Sequence, residues 1–336
     1  MRGERERQHG TERRPFTALV AGAAIALGIV TSAALAQGKT ARIVILGPAE
    51  EPRFSEIAGG LKQGLRDHGY PTAALDIVEG KVTRGDAAAA RATVAEAVRR
   101  GALVLFVIGS ELTRVARQVT SELPIVFITP GDPVAAGLAA SLTHPGGNTT
   151  AMTFEFPELS AKRLELLKEL VPGLRNVVVL CDSRDASPRQ GLVAIRNAAP
   201  KLGIKLIERE MGTGDALARA FEALQGADAV LAIPGGRTTT YYKEIIDAAN
   251  ARRVPTIVHS RATSTSEALL SYGASDANVA RQAARLIDKI LKGEKAGDLP
   301  VERPTNLEFV INLKTAKALG LSVPPMFIAR ADRVIE

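Results

Sequence analysis

The sequence predicts an α/β protein built as two Rossmann-like lobes with a central cleft. Three observations carry this reading. Short β-branched runs alternate with Ala-, Leu- and charge-rich segments of helical period, and such alternation specifies parallel sheets covered by helices. Runs such as VLFVI and NVVVL are apolar on consecutive residues, as strands buried on both faces must be. The same strand–helix ladder also occurs twice in one order. ARIVILG (Ala41–Gly47) echoes RNVVVLC (Arg175–Cys181). GALVLFVIGS (Gly101–Ser110) echoes GADAVLAIPGG (Gly226–Gly236), and LPIVFIT (Leu123–Thr129) echoes VPTIVHS (Val254–Ser260). One lobe then begins near Ala41 and the other near Pro157, with a single large sheet as the alternative.

The elements follow in chain order. Residues 1–36 read as an address: an Arg-rich front, an uncharged run from Ala18 to Ala36, and an A-x-A end at Ala34-Leu35-Ala36. These are the three parts of a secretory signal peptide, and they place the mature N-terminus near Gln37, free in the periplasm. An uncleaved anchor is the alternative, because the run approaches the ~20 residues that span a bilayer. Arg13-Arg14-Pro15-Phe16 has the form of a twin-arginine signal. Strands are then expected at Ala41–Leu46, Leu103–Ile108, Ile125–Ile128, Asn176–Leu180, Ala229–Ile233 and Thr256–Val258. Helices are expected at Phe54–His68, Asp86–Arg100, Leu159–Leu170, Asp215–Leu224 and Tyr241–Ala251. A short helix is expected at Val134–Leu142, between the Thr129-Pro130-Gly131-Asp132-Pro133 loop and the Pro145-Gly146-Gly147-Asn148 turn.

Composition narrows the function. The chain has 336 residues, enough for two domains, and is 46% hydrophobic and 24% charged. The net charge of +7 is spread along the chain and forms no basic patch, which argues against nucleic acid as a partner. With one cysteine, Cys181, the chain makes no internal disulfide, and no cysteine follows the signal to carry a lipid. No phosphate-binding G-x-x-x-x-G-K-[ST], no G-x-G-x-x-G after the first strand and no G-x-S-x-G elbow is present. No Cys/His cluster has metal-ligand spacing, so neither metal nor cofactor is expected. Of the four histidines, His9 lies in the signal. His68 suits a helix C-terminus, His144 a turn, and His259 ends a strand from which it could face the cleft. Asn148-Thr149-Thr150 is a formal glycosylation sequon.

In open α/β sheets ligands sit beyond the carboxyl ends of the strands. Here those loops are Gly47–Glu51, Gly109–Leu112, Thr129–Val134, Cys181–Asp185, Pro234–Thr238 and Ser260–Thr263, rich in Gly, Pro, Ser, Thr and Asp. Thr129, Asp132 and Pro133 therefore stand at the mouth of the cleft. Asp132 has two readings: a helix cap, or a carboxylate that meets a solute.

Three segments also resemble a known family. PIVFITPGDPVAAGLAASLTHPGGNTTAMT, ELSAKRLELLKELVPGLRNVVVL and INLKTAKALGLSVPPMFIARADRVIE are similar to the ABC transporter substrate-binding proteins related to tryptophan/tyrosine-uptake binding proteins. The resemblance runs from about Ala41 to Glu336 and rests most on Gly131–Leu138 and Lys162–Glu169. It implies a type I periplasmic binding protein fold with one lobe over 41–154 plus about 274–300, and the other over 157–273 plus about 304–336. It implies no catalysis, a small-molecule solute, a monomeric binding protein, and a membrane permease with its ATPase as partners. On one lobe it implies ligand contacts from Ser110, Thr113 and the loop of Asp132. On the other it implies contacts from Asp182, Ser183, Gly235 and Arg261, with Tyr272 near the crossings between lobes. Glu111 and PGGRTTTYY depart from the family pattern, which bears on the solute.

The chemistry of this set suits a zwitterion or a small polar acid. A helix start at Ser110 can hold an anion, Asp132 or Asp182 an ammonium, and Arg261 a carboxylate. Two other classes stay open: a periplasmic sensor subunit for a signalling receptor, and an enzyme that uses the cleft.

Overall fold

The computed structural model describes residues 40–50, 53–182, 184–185, 189–212, 215–260 and 267–336. The signal-peptide reading of residues 1–36, and the site residues Ser183 and Arg261, lie outside the described residues.

Two separate sheets form. The strands are β1 (Ala41–Pro48), β2 (Leu75–Val82), β3 (Val104–Ile108), β4 (Ile125–Thr129), β5 (Thr149–Thr153), β6 (Asn176–Cys181), β7 (Lys205–Glu210), β8 (Ala229–Ala232), β9 (Thr256–Val258), β10 (Leu270–Gly273), β11 (Glu308–Asn312) and β12 (Arg333–Ile335). The helices are α1 (Phe54–Asp67), α2 (Ala87–Arg99), α3 (Ser110–Val119), α4 (Pro157–Leu170), α5 (Arg189–Ala198), α6 (Asp215–Glu222), α7 (Gly236–Thr240), α8 (Tyr242–Ala251), α9 (Asp276–Leu291), α10 (Leu313–Ala318) and α11 (Pro325–Ile328). The first sheet has the order β2-β1-β3-β4-β5, and all its pairs are parallel. The second has the order β12-β11-β10-β9-β8-β6-β7. Its first five strands in chain order repeat the order of the first sheet. β11 runs antiparallel to β10 and carries β12 in parallel beside it.

Burial explains the ladder. β1, β3, β4, β6, β8 and β9 are contiguous apolar runs because helices cover both faces of their sheets. β5 reads TTAMT and is as deeply buried, although it is mostly threonine. It tolerates the hydroxyls because they are bonded: Thr150 Oγ1 donates to the Leu299 carbonyl at 2.9 Å. In the first lobe α1 and α9 pack closely through Gly60 and Gly64. A Cβ at either glycine would come within 2.3 Å of a carbonyl oxygen of α9. This contact ties residues 276–291 to a core built mainly from residues 43–154.

The chain passes from one sheet to the other between β5 and α4, between β10 and α9, and between residues 302 and 308. The expected helix at Val134–Leu142 is instead a run of turns. Gly137 adopts φ 70°, which breaks helical geometry, and Leu138 N–H returns to the Pro133 carbonyl at 2.8 Å.

Candidate functional site

The C-terminal ends of the central strands of both sheets face one another and enclose a cavity of about 270 Å³. The fold places it there because a parallel sheet aims its strand-end loops and helix starts to one side. Its apolar wall comes from Ile57, Ile108, Leu112, Ile128 and Phe154, and its polar wall from both lobes. Ser110, Glu111 and Arg114 arrive on α3, Arg84 on the loop after β2, Asp182, Arg184 and Asp185 after β6, and Arg237 and Thr239 on α7. The helix starts at Ser110 and Gly236 follow glycines at φ 94° and φ 149°, conformations that side-chain-bearing residues rarely adopt.

Hydrogen bonds bridge the lobes at the rim. Ser110 Oγ donates to Asp185 Oδ1 at 3.2 Å, and Arg84 Nη2 donates to Thr240 Oγ1 at 3.0 Å. Asp182 serves its own lobe. It accepts from Arg184 Nε at 3.0 Å and from the backbone N–H of Arg237, at the start of α7, at 2.9 Å.

A buried polar cluster lies at the back of the cleft, where the chain crosses between lobes. Arg53, at the entry to α1, donates to both carboxylate oxygens of Asp276 at 2.7 and 2.8 Å, and both residues are almost fully buried. Ser260, in the second lobe, donates to the same carboxylate at 2.8 Å. Burial alone would push the Asp276 carboxyl up, but the Arg53 guanidinium and these donors outweigh it and hold it well below the usual carboxylate range. Arg53 also meets His259 Nε2 at 3.2 Å. A guanidinium only donates, so Nε2 accepts and the proton sits on Nδ1, 2.7 Å from the Tyr242 hydroxyl. Burial pushes the His259 pKa down, in keeping with that neutral ring. Beside this cluster, Arg163 makes a two-pronged pair with Glu155 at 2.7 Å for each prong, and its Nε donates to the Tyr272 carbonyl at 2.7 Å. Thus α4 is bound to two crossing segments at once.

The described residues singled out in the sequence fall in four places. Ser110, Glu111, Asp182 and Gly235 line the cavity together. Thr113 and Thr129 are buried behind it: Thr113 Oγ1 donates to the Gly109 carbonyl, and Thr129 Oγ1 lies 2.9 Å from Ser110 Oγ. Asp132 and Pro133 line a separate cavity of about 100 Å³. Asp132 caps a turn, accepting from Val134 N–H at 2.8 Å, and also accepts from Gln190 of the other lobe at 2.9 Å. Tyr272 stands on β10, its ring edge-on to Phe309 and outside the cavity. Of the residues set aside, His259 is fully buried at the hinge, and the Asn148 amide is engaged by the Thr120 and Leu123 carbonyls.

Sequence reasoning missed the arginines at positions 53, 84, 114, 184 and 237, and Phe154. Only Arg237 carried a local signal, in the unusual PGGRTTTYY. Arg53 and Asp276 are 223 positions apart, and no local pattern joins them. Among the described residues no group of His, Cys, Asp and Glu is placed to hold a metal ion, and no helix is long and apolar enough to cross a membrane.

Comparison with known proteins agrees with this geometry. The chain is 25% identical over 273 residues to the tyrosine-binding protein of Clostridioides difficile, covering 81% of this chain and 79% of the relative. The ABC domain in complex with L-Trp from Streptococcus pneumonia superposes with a TM-score of 0.80 at 22% identity, over 88% of this chain and all of that one. A conserved domain protein from Vibrio cholerae O1 biovar eltor gives a TM-score of 0.79 at 26% identity, with the same coverage. The family model for ABC transporter substrate binding proteins matches residues 42–335. Its members are binding proteins and are in general extracytoplasmic. The two sheets, the cleft between them and this match together make the chain a member of the ABC transporter substrate-binding protein family.

Proposed function

We propose that the chain is exported by a signal peptide ending at Ala36 and captures one small solute in the periplasm. As a monomer, it would deliver that solute to a membrane permease driven by an ATPase. The observation that carries this reading is the cavity between the lobes, to which both contribute charged side chains. A site split in this way forms only when the lobes are together, so ligand occupancy and closure are one event. A micromolar dissociation constant corresponds to about −8 kcal/mol, within reach of a few charge-assisted hydrogen bonds in a desolvated cleft.

The lining supports binding rather than catalysis. Among the described residues it holds no histidine or cysteine. Burial pushes the Cys181 thiol up to about 12, so it stays protonated and a poor nucleophile. Ser110 lies against the Thr129 hydroxyl and the Asp185 carboxylate, and no imidazole among the described residues lines the cavity beside it.

Native mass spectrometry of freshly purified protein tests capture, and uptake of the recovered solute in a strain lacking the chain tests delivery. Loss of uptake, restored by the gene, is the expected outcome. Intact uptake with a lost cellular response would make the chain a sensor subunit. Conversion of the recovered solute by the purified protein would make it an enzyme.

A further inference from the structure

Acids and arginines line the cleft in similar numbers, but they are not equally occupied. Each lining carboxylate among the described residues already accepts hydrogen bonds. Asp276 is held by Arg53 and Ser260, Asp182 by Arg184 and the Arg237 amide, Asp185 by Ser110, and Glu111 by the Gly85 N–H at 3.1 Å. The guanidinium groups of Arg114 and Arg237 make no hydrogen bond or ion pair with any described residue. The Nε of Arg84 is buried and has no acceptor. Arg84 Nη1 lies 3.9 Å from Glu111, too far for a hydrogen bond. The unfilled capacity of the cleft is therefore for hydrogen-bond donation by cations.

From this we propose that the solute is a small organic acid with an apolar body and no ammonium group, its carboxylate held by Arg237 from one lobe and Arg84 from the other. The inference rests on the solute-capture reading above and narrows it. A carboxylate gives Arg84 Nη1, which makes no hydrogen bond to a described residue, an acceptor, and it matches the planar fork of Arg237 in two-pronged geometry. The body of the acid then lies against Ile57, Ile108, Ile128 and Phe154. A volume of about 270 Å³ is at the small end for ligand pockets, which suits a body of one ring or a short branched chain. An α-amino acid would bring an ammonium into a closed site whose described carboxylates already accept from protein donors, and its charge would compete with them at a cost. Arg237 becomes the residue that determines specificity for charge.

Three probes of one shape separate the charge classes: phenylacetate, L-phenylalanine and phenethylamine. Their aliphatic counterparts are 4-methylpentanoate, L-leucine and isopentylamine. Titration calorimetry of the mature protein against each is expected to show at least one acid binding about tenfold or more tightly than its matched amino acid, with the amines not binding. Arg237→Gln should weaken that acid by about tenfold or more while leaving the melting temperature unchanged, and Arg237→Lys should recover part of the loss. Tighter binding of an amino acid or amine would overturn the charge assignment and leave solute capture standing. Unchanged acid affinity in a well-folded Arg237→Gln protein would overturn the role of Arg237. Failure of all six probes to bind would overturn capture of a small apolar-bodied solute, and the narrower inference with it.

Discussion

Where the chain crosses between lobes, Arg53 and Arg163 are buried and each faces a carboxylate, Arg163 in two-pronged geometry and Arg53 through one nitrogen shared by both oxygens, with Ser260, His259 and the Tyr272 carbonyl completing the set. In the cleft, Arg237 and Arg114 make no side-chain hydrogen bond or ion pair with any described residue, and Arg84 has a buried nitrogen without an acceptor. The same side chain thus serves two ends within one molecule. Where the chain crosses between lobes, the charges are neutralised inside the protein. Where the lobes part, cationic capacity is left over. The former contributes to folding and the latter, on the proposal above, to recognition, so substitutions in the two regions should separate stability from affinity.

The largest effect is expected at Glu155. Glu155→Gln leaves the fully buried Arg163 without its counter-charge, and breaking such a pair by removing one partner costs roughly 3–5 kcal/mol. Chemical denaturation would measure this, and a loss below about 1 kcal/mol would mean that the hinge pair is not what holds the crossings.

Acid should act next, through His259 and Asp276. The folded His259 pKa lies below its ordinary 6.5, so protonation favours the unfolded chain, and stability falls as pH drops below about 6.5. Asp276 is held below its ordinary 3.8, so its contribution is present above that value and is lost as pH falls further. Thermal melts from about pH 7 to pH 5 should show a falling melting temperature, and His259→Gln should flatten that slope. An unchanged slope would place the acid sensitivity elsewhere.

Asp132 tests the border between the regions, because it caps a turn and also touches the other lobe. Asp132→Ala should cost about 1 kcal/mol of stability through the lost bond to Val134. It should weaken solute binding only as far as the lost bond to Gln190 loosens closure. Gln190→Ala should then reproduce the binding effect without the stability effect. If Asp132→Ala abolished binding and Gln190→Ala did not, Asp132 would be a direct ligand contact.

The smallest stability change belongs to Arg237→Gln. A guanidinium with no partner among the described residues can be removed within about ±0.5 kcal/mol. A larger loss by calorimetric melting would show that the cleft arginines hold the fold as the hinge arginines do.

How much of this was legible in the sequence follows from the kind of signal each element carries. β1, β3, β4, β6, β8 and β9 were read within one or two residues, because strands buried on both faces must be apolar throughout. β5 was not read, because its threonines satisfy their hydroxyls through distant carbonyls that no local window contains. The misread helix at Val134–Leu142 has the right composition, but one glycine at positive φ decides otherwise. The loops that hold Ser110, Glu111, Asp182 and Gly235, all of which line the cavity, were legible because strand ends locate a cleft wall from topology; the family resemblance singled out Ser110, Asp182 and Gly235 within them. Arg53, Asp276 and His259 meet only after the chain has crossed between lobes, and their pairing is a property of the fold and not of any motif.

The close packing of α1 on α9 has a consequence for the order in which the molecule is made. Synthesis delivers all five strands of the first sheet long before residue 276, yet Val279, Ala283 and Ile287 of α9 belong to the core over Ile43, Ile45 and Phe106. A nascent chain that has reached Gly273 therefore holds the first sheet complete in hydrogen bonds but open along one flank. Such a half-covered sheet exposes apolar surface and is prone to aggregate. Its last contacts also span more than two hundred residues, which slows closure. The first lobe to be synthesised is thus unable to finish folding alone. A chaperone that holds the chain unfolded until its C-terminal part has emerged would protect this interval.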